Sequence, residues 1–233
     1  MNNLNFLGRG SGYNVREGNT SAYIIKNETL LLIDCGESVF KKIVEKDLIE
    51  GIKNIQILIT HMHSDHVGSL GSLVGFCYWK YKIVSKIYFY EKEKIKTLLE
   101  LNGMKEGESF ILNNIEDRKV EDLGLEFSPS LTKHVEAINT YSYRLKFQEG
   151  NDIFYTGDTS ETNFDVVHYL KSGNIIYHDT CLNDGKGNVH TSLRLLSEKI
   201  PKEYRKQVYC MHIDGENFTQ KAEEEGFNVA SIN

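Results

Sequence analysis

At 233 residues, with 40% hydrophobic residues and a formal net charge of −6, the chain suits one compact α/β domain spanning 1–233, or one sandwich with helices outside. That charge argues against a protein built to grip a long phosphate backbone, which usually shows a basic stripe; the densest basic run, residues 80–96, is interleaved with Glu91 and Glu93 and reads as a solvated helix face. A small anionic substrate stays open, because bound metal ions can dominate a local field.

Strands are predicted at 4–7, 21–25 and 30–34, followed by a helix over 38–46. The apolar run Ile55-Gln56-Ile57-Leu58-Ile59 predicts a buried strand. A helix then spans 65–79, loosened by Gly68, Gly71 and Gly75, before a strand at 86–90 and a charged helix at 91–101. Strands follow at 109–112, 125–130, 141–147 and 152–155. The second half adds a helix at 163–170, a strand at 175–177, a helix at 192–199, a strand at 207–211 and a last helix at 217–225. Strands come in runs and helices singly, which argues for two packed sheets with helices on their outer faces.

Cys35, Cys77, Cys181 and Cys210 are widely spaced and form no C-x-x-C pair, so each reads as a small buried hydrophobe. The N-terminal residues lack the charged and apolar regions of a signal peptide, and no apolar run of about 18 residues predicts a membrane span. The expected compartment is a reducing cytoplasm, that of the host if a phage encodes the chain.

The chemistry concentrates in Thr60-His61-Met62-His63-Ser64-Asp65-His66, directly after the 55–59 strand. Imidazole and carboxylate are the donors that zinc and its first-row neighbours prefer. A tight loop at a strand end can aim His61 and His63 to one side and Asp65 and His66 to the other. Further polar residues close apolar strands: Asp34 after Leu30-Leu31-Leu32-Ile33, His134 after Leu131-Thr132-Lys133, Asp158 after Ile153-Phe154-Tyr155-Thr156-Gly157, and His212 after Val208-Tyr209-Cys210-Met211. One such residue is usually a turn residue. Four of them beside the His61–His66 cluster are hard to attribute to turns.

Taken in order, these residues resemble the five motifs of the metallo-β-lactamase fold, with residues 60–66 matching its H-x-H-x-D-H signature. The resemblance covers nearly the whole chain. It implies an α/β fold, an αββα sandwich of two packed mixed β-sheets, with a dinuclear metal site at one edge. His61, His63 and His134 would hold one ion; Asp65, His66 and His212 the second; Asp158 would bridge them and Asp34 would orient a ligand. Nitrogen and oxygen donors admit Zn, Mn, Fe or Co, and two divalent ions, zinc first and manganese second, are the expected cofactor. Two ions about 3.5–4 Å apart can share a hydroxide and stabilise both oxygens of an in-line displacement at phosphorus.

Within that fold, Phe6-Leu7-Gly8-Arg9-Gly10-Ser11-Gly12 looks like the F-L-G-T-G-S-A start of ribonuclease Z. Tyr177-His178-Asp179-Thr180-Cys181 resembles its H-E-A-T-F, and Val189-His190-Thr191-Ser192 its G-H-S-T. The resemblance makes Asp179 and His190 a dyad that protonates the leaving oxygen, and Asp65, His190 and Asp179 the expected catalytic residues. A plainer role for His190 is a residue on the N-cap side of the Ser192 helix. Ribonuclease Z also carries a tRNA-gripping arm between its third and fourth motifs, whereas the stretch from His134 to Asp158 leaves room for a strand hairpin alone. The chain thus resembles the small armless phosphodiesterases of this branch, above all the phage anti-Pycsar enzymes, which cleave cyclic mononucleotides. The segments Gly18-Asn19-Thr20-Ser21-Ala22 and Asp34-Cys35-Gly36-Glu37 also look like that group.

The expected function is hydrolysis of 3′,5′-cyclic mononucleotides, which would disarm cyclic-nucleotide antiphage signalling. The alternatives are tRNA 3′-processing with the grip supplied by a partner chain and, behind it, hydrolysis of a thioester or lactam. The expected partner is a small anionic nucleotide, and the resemblance further implies a homodimer in which a loop of one copy would edge the other's site. No stable nucleic-acid complex and no membrane contact are expected. Tyr13, Phe76, Tyr78, Trp79, Tyr81 and Tyr88-Phe89-Tyr90 could stack on a base, though aromatics at such spacings more often form core.

Overall fold

A computed structural model describes residues 2–115, 119–161 and 165–232. The first half runs β1 (Asn5–Gly8), β2 (Ser21–Lys26), β3 (Thr29–Ile33), α1 (Val39–Glu45), β4 (Asn54–Leu58), α2 (Ser64–Val67), α3 (Leu70–Tyr81), β5 (Ser85–Tyr88), α4 (Lys92–Leu101) and β6 (Phe110–Asn113). Its six strands form one sheet in chain order, antiparallel through β3 and parallel from β3 to β6. Asn27 and Glu28 take φ of +49° and +59° at the β2–β3 turn, the paired left-handed residues that a tight hairpin requires. All five residues of β3 are buried, as expected of an inner strand covered on both faces.

The second half runs β7 (Lys119–Val120), β8 (Leu125–Thr132), β9 (Thr140–Phe147), β10 (Ile153–Tyr155), α5 (Val166–Lys171), β11 (Ile175–Asp179), α6 (Leu193–Lys199), β12 (Val208–Met211), α7 (Phe218–Glu224) and β13 (Asn228–Val229). Its sheet is ordered β13-β12-β11-β10-β9-β8-β7, antiparallel from β7 to β10 and parallel from β10 to β13. Short 3-10 helices at Glu121–Leu123 and Lys202–Gln207 lead into β8 and β12.

The largest apolar cluster draws on both sheets, with Leu30, Ile57 and Ile87 from one and Phe127, Tyr143 and Tyr155 from the other. Fully buried rings such as Phe127 and Phe110 contribute roughly 1.5–3 kcal/mol each through burial. Tyr88 meets Phe127 edge-on across the sheets at 5.1 Å between centroids. Tyr143 Oη donates to the Ile59 carbonyl at 2.6 Å, and the Tyr141 N–H to the Thr60 carbonyl at 3.0 Å, so the sheets are stitched together where β4 ends. A second cluster, including Tyr169, Leu196, Phe218 and Phe227, lies beneath α5, α6 and α7.

This is the αββα sandwich of the metallo-β-lactamase fold. The helix expected over 65–79 is in fact two, α2 and α3, broken at Gly68-Ser69. Ser69 leaves the helical path because its Oγ accepts the Phe40 N–H of α1 at 3.1 Å and also bonds the Gly36 carbonyl. The first two residues of the helix expected at 163–170 lie outside the described residues; α5 begins at Val166. All four cysteines are free and buried, as expected.

Candidate active site

Every site residue lies at or beyond the C-terminal end of a strand. β3 and β4 run the same way, as do β8, β10, β11 and β12, so these ends gather along one edge of the sandwich. Asp34 and His212 turn out of their strands at φ of +63° and +57°, left-handed conformations that cost a non-glycine residue about 1–3 kcal/mol and tend to persist at functional sites. After β4 the backbone is extended through His63 (ψ 152°) and then enters the single turn α2. Extended residues two apart share a side, so His61 and His63 face together, while the turn swings Asp65 and His66 away.

Two donor sets result. His61 Nε2 lies 2.9 Å from His63 Nδ1, which lies 3.4 Å from His134 Nε2. Asp158 Oδ2 is 3.7 Å from both His61 Nε2 and His134 Nε2. In the second set Asp65 Oδ2 is 3.3 Å from His66 Nε2 and 3.2 Å from His212 Nε2. Asp158 closes this set too, at 3.4 Å from His66 through Oδ1 and 3.3 Å from His212 through Oδ2. Four ligands tetrahedrally arranged about 2.1 Å from an ion lie roughly 3.4 Å apart, so both sets have the size of a coordination shell, with Asp158 common to the two.

The far ring nitrogens are braced. Asp34 Oδ2 accepts from His66 Nδ1 at 2.9 Å and from the Thr60 hydroxyl at 2.8 Å; Oδ1 accepts the Thr60 N–H at 2.7 Å. Thr60 Oγ1 in turn receives His61 Nδ1 at 3.0 Å, so Asp34 orients one ring in each set. His134 Nδ1 donates to the Val189 carbonyl at 3.1 Å. Thr60 and this carbonyl are contributors that residue typing overlooked: one is an ordinary loop threonine, the other a main-chain atom. Two glycines bring backbone up to the site. A Cβ on Gly36 would sit 1.9 Å from the Asp65 carbonyl, and one on Gly12 3.0 Å from the Asp65 carboxylate.

The electrostatics favour a cation. Burial, and then the charge of His66, hold His61 well below its usual range, and burial lowers His63, so both are neutral donors. Burial opposes charge on Asp158, yet His212, His66 and His61 outweigh it and keep the carboxylate ionised. Burial likewise pulls His66 and His212 down, but the surrounding carboxylates overcome it, raising His66 and lifting His212 to about 10. Among the described residues no Lys or Arg pairs with Asp34, Asp65, Asp158 or Asp179. Among the described residues His66 Nε2 is buried with no hydrogen-bond partner. The donor set, the excess of carboxylates and this orphaned nitrogen fit divalent ions.

Beside these sets, His190 Nδ1 donates to Asp179 Oδ2 at 2.7 Å. Asp179 is wholly buried, and its Oδ2 also accepts the Thr159 N–H at 2.8 Å. Burial depresses the His190 pKa, but the Asp179 carboxylate and its hydrogen bond more than compensate, and the net shift is upward. His190 does not cap the following helix: Ser192 does, accepting from the Leu195 N–H. The His190 ring lies 5.0 Å from that of His134 and 4.9 Å from that of His212. All three line a cleft of about 630 Å³ with His63, Asp65 and Asp158. Of the aromatics considered for base stacking, Tyr13 lines the cleft, fully exposed, while Tyr88 and Phe89 are core.

The model of the family described as Anti-Pycsar protein Apyc1 matches residues 2–230. The chain belongs to that family. An Anti-Pycsar protein Apyc1 of Bacillus phage BSP38 is 25% identical over 231 residues, covering 90% of this chain and 88% of that protein. Among solved structures, a diphosphatase of the PhnP family superposes with a TM-score of 0.74 at 19% identity, covering 99% of this chain and 95% of its own. The short form of human tRNase Z gives 0.70 at 19% identity, covering 92% and 93%. These two show the shared metallo-β-lactamase fold. As a member of the Apyc1 family, the chain is a metal-dependent hydrolase. No described helix is long and apolar enough to cross a membrane.

Proposed function

We propose that the chain is a metal-dependent phosphodiesterase that hydrolyses 3′,5′-cyclic mononucleotides and thereby disarms cyclic-nucleotide antiphage signalling. The observation that carries this reading is one cleft lined by His63, His134, Asp65, His212 and Asp158 of the two His/Asp donor sets and by His190, which the buried Asp179 holds from behind. His61, His63, His134 and Asp158 would hold one ion, and Asp65, His66, His212 and Asp158 the other, with zinc the first candidate and manganese the second. Bound there, such ions supply Lewis acidity toward phosphoryl oxygens and lower the pKa of water.

The chain's own residues do the rest. Opening a cyclic phosphodiester expels a ribose alkoxide, a poor leaving group unless it gains a proton. Asp179 fixes His190 through Nδ1 and favours its imidazolium form, which leaves the Nε2 proton for that oxygen. The cleft lies in the range of roughly 300–1,000 Å³ that small-molecule sites occupy. Its lining includes Glu37 and Asp214 but, among the described residues, no Lys or Arg. Such walls suit one phosphodiester charge and repel a polyanion.

The tRNA reading is weaker for the same reason. It is weaker also because the residues from His134 to Asp158 are taken up by a loop, β9 and β10, with nothing left for an arm. Our reading includes a homodimer acting in the cytoplasm.

Incubating the purified protein with the four 3′,5′-cyclic mononucleotides and with precursor tRNA tests the proposal. Linear mononucleotides are expected from the former and no cleavage of the latter. Efficient tRNA cleavage with cyclic nucleotides untouched would reverse it.

A further inference from the structure

His61, His66 and His134 each have a partner on the nitrogen that faces away from the donor sets: Thr60 Oγ1, Asp34 Oδ2 and the Val189 carbonyl. His212 directs Nε2 at Asp65 and Asp158, and its Nδ1 is buried with no hydrogen bond among the described residues. The nearest carboxylate oxygen recorded for it is Asp179 Oδ1, 3.5 Å away, itself buried and without a hydrogen bond. The two orphaned atoms thus face each other, one a donor and one an acceptor. The other oxygen of the same carboxylate holds His190 at 2.7 Å.

We propose that Asp179 is a positioning residue for His212 as well as for His190, one carboxylate setting both a metal ligand and the leaving-group acid. The inference rests on the function proposed above. A neutral imidazole offers one lone pair, so His212 can present Nε2 to an ion only when its proton sits on Nδ1. A buried carboxylate at Nδ1 selects that tautomer and fixes the ring plane, as Asp34 does for His66. The rings of His212 and His190 lie nearly parallel, 26° apart, so Asp179 reaches both from one side. The loop that carries His190 also offers the Val189 carbonyl to His134, so the acid is braced against both donor sets.

Binding of Co²⁺, followed by its visible absorption, separates the two roles without an activity assay. About two ions per chain are expected for the wild type. Asp179→Asn is expected to keep the tighter ion and to bind the other about 10–100-fold more weakly, the usual cost of losing an outer-shell partner. His190→Ala, which removes the acid but leaves the His212–Asp179 contact, is expected to match the wild type at both. Unchanged affinities in Asp179→Asn, or equal losses in the two variants, overturn the inference and leave the proposed function standing. A wild type that binds no ion overturns both. Should Asp179→Asn not fold, ¹H–¹⁵N spectra of the zinc-loaded wild type serve instead. A protonated, slowly exchanging His212 Nδ1 is expected there, and an unprotonated or freely exchanging one contradicts the inference.

Discussion

The first half of the molecule supplies His61 and His63 from the loop after β4 and Asp65 and His66 from the turn α2 that continues it, with Asp34 behind them. The second half supplies His134, Asp158, Asp179 and His212 singly, from four strand ends, with His190 on the loop after β11. Neither half holds a complete donor set: His134 and Asp158 finish the shell begun by His61 and His63, and His212 and Asp158 finish that begun by Asp65 and His66. The first half therefore concentrates candidate ligands, and the second completes both donor sets and adds the candidate acid. One consequence is that the hydrogen bonds joining the sheets at Thr60 and Ile59 are also what hold the two contributions in register.

Removing a residue common to both shells separates the halves most sharply. Asp158→Ala is expected to abolish turnover and to lower binding of both ions. His61→Ala should also abolish turnover but leave the Asp65–His66–His212 set able to take up an ion; elemental analysis of both variants checks this. Equal ion loss in the two would mean that the shells are not separate. His190→Ala is expected to lower kcat on a cyclic nucleotide by roughly 10²–10⁴-fold, the range of a positioned general acid. A p-nitrophenyl phosphodiester, whose leaving group needs no proton, should suffer much less, and an equal loss on both substrates would make His190 a structural or binding residue. A smaller effect is expected behind the first-half loop: Asp34→Ala should weaken ion binding by about 10–100-fold through His66 and, by way of Thr60, His61. Metal titration measures it, and no change would show that Asp34 serves the fold alone.

The smallest effect is one of pH. In the metal-free chain burial works against a charged His212, yet Asp158, Asp179 and Asp65 raise it to about 10. Its unfolded value is about 6.5, so the charged ring stabilises the metal-free fold fully below that pH. The contribution fades as pH climbs toward the folded value. Ion binding has to displace this proton and therefore strengthens over the same window. Melting temperatures with and without Zn²⁺ are expected to diverge from pH 6.5 to 8.5, and a gap that narrows would contradict the assignment of His212 as a ligand.

The same contrast between halves explains how much could be read from the sequence. The first-half loop is legible because its donors are contiguous and follow a strongly apolar strand. The second-half residues are legible only as a set: each alone is an ordinary turn residue, and what joins them is that their strands end along one edge. The break at Gly68-Ser69 was hidden because it comes from a tertiary bond, Ser69 to the Phe40 N–H, and not from helix propensity. Strands β7 and β13, two residues each, are too short to show alternation. The bracing by Thr60 and by the Val189 carbonyl left no trace, because a common residue and a main-chain oxygen carry no compositional signal.

On the function proposed, both halves together build a site for a pair of ions. Counting metal per chain in the purified protein, by elemental analysis before and after supplying Zn²⁺ or Mn²⁺, tests it most directly. About two ions per chain, with activity rising as they load, is the predicted result. A chain that holds none, and gains no activity when either ion is added, would contradict it.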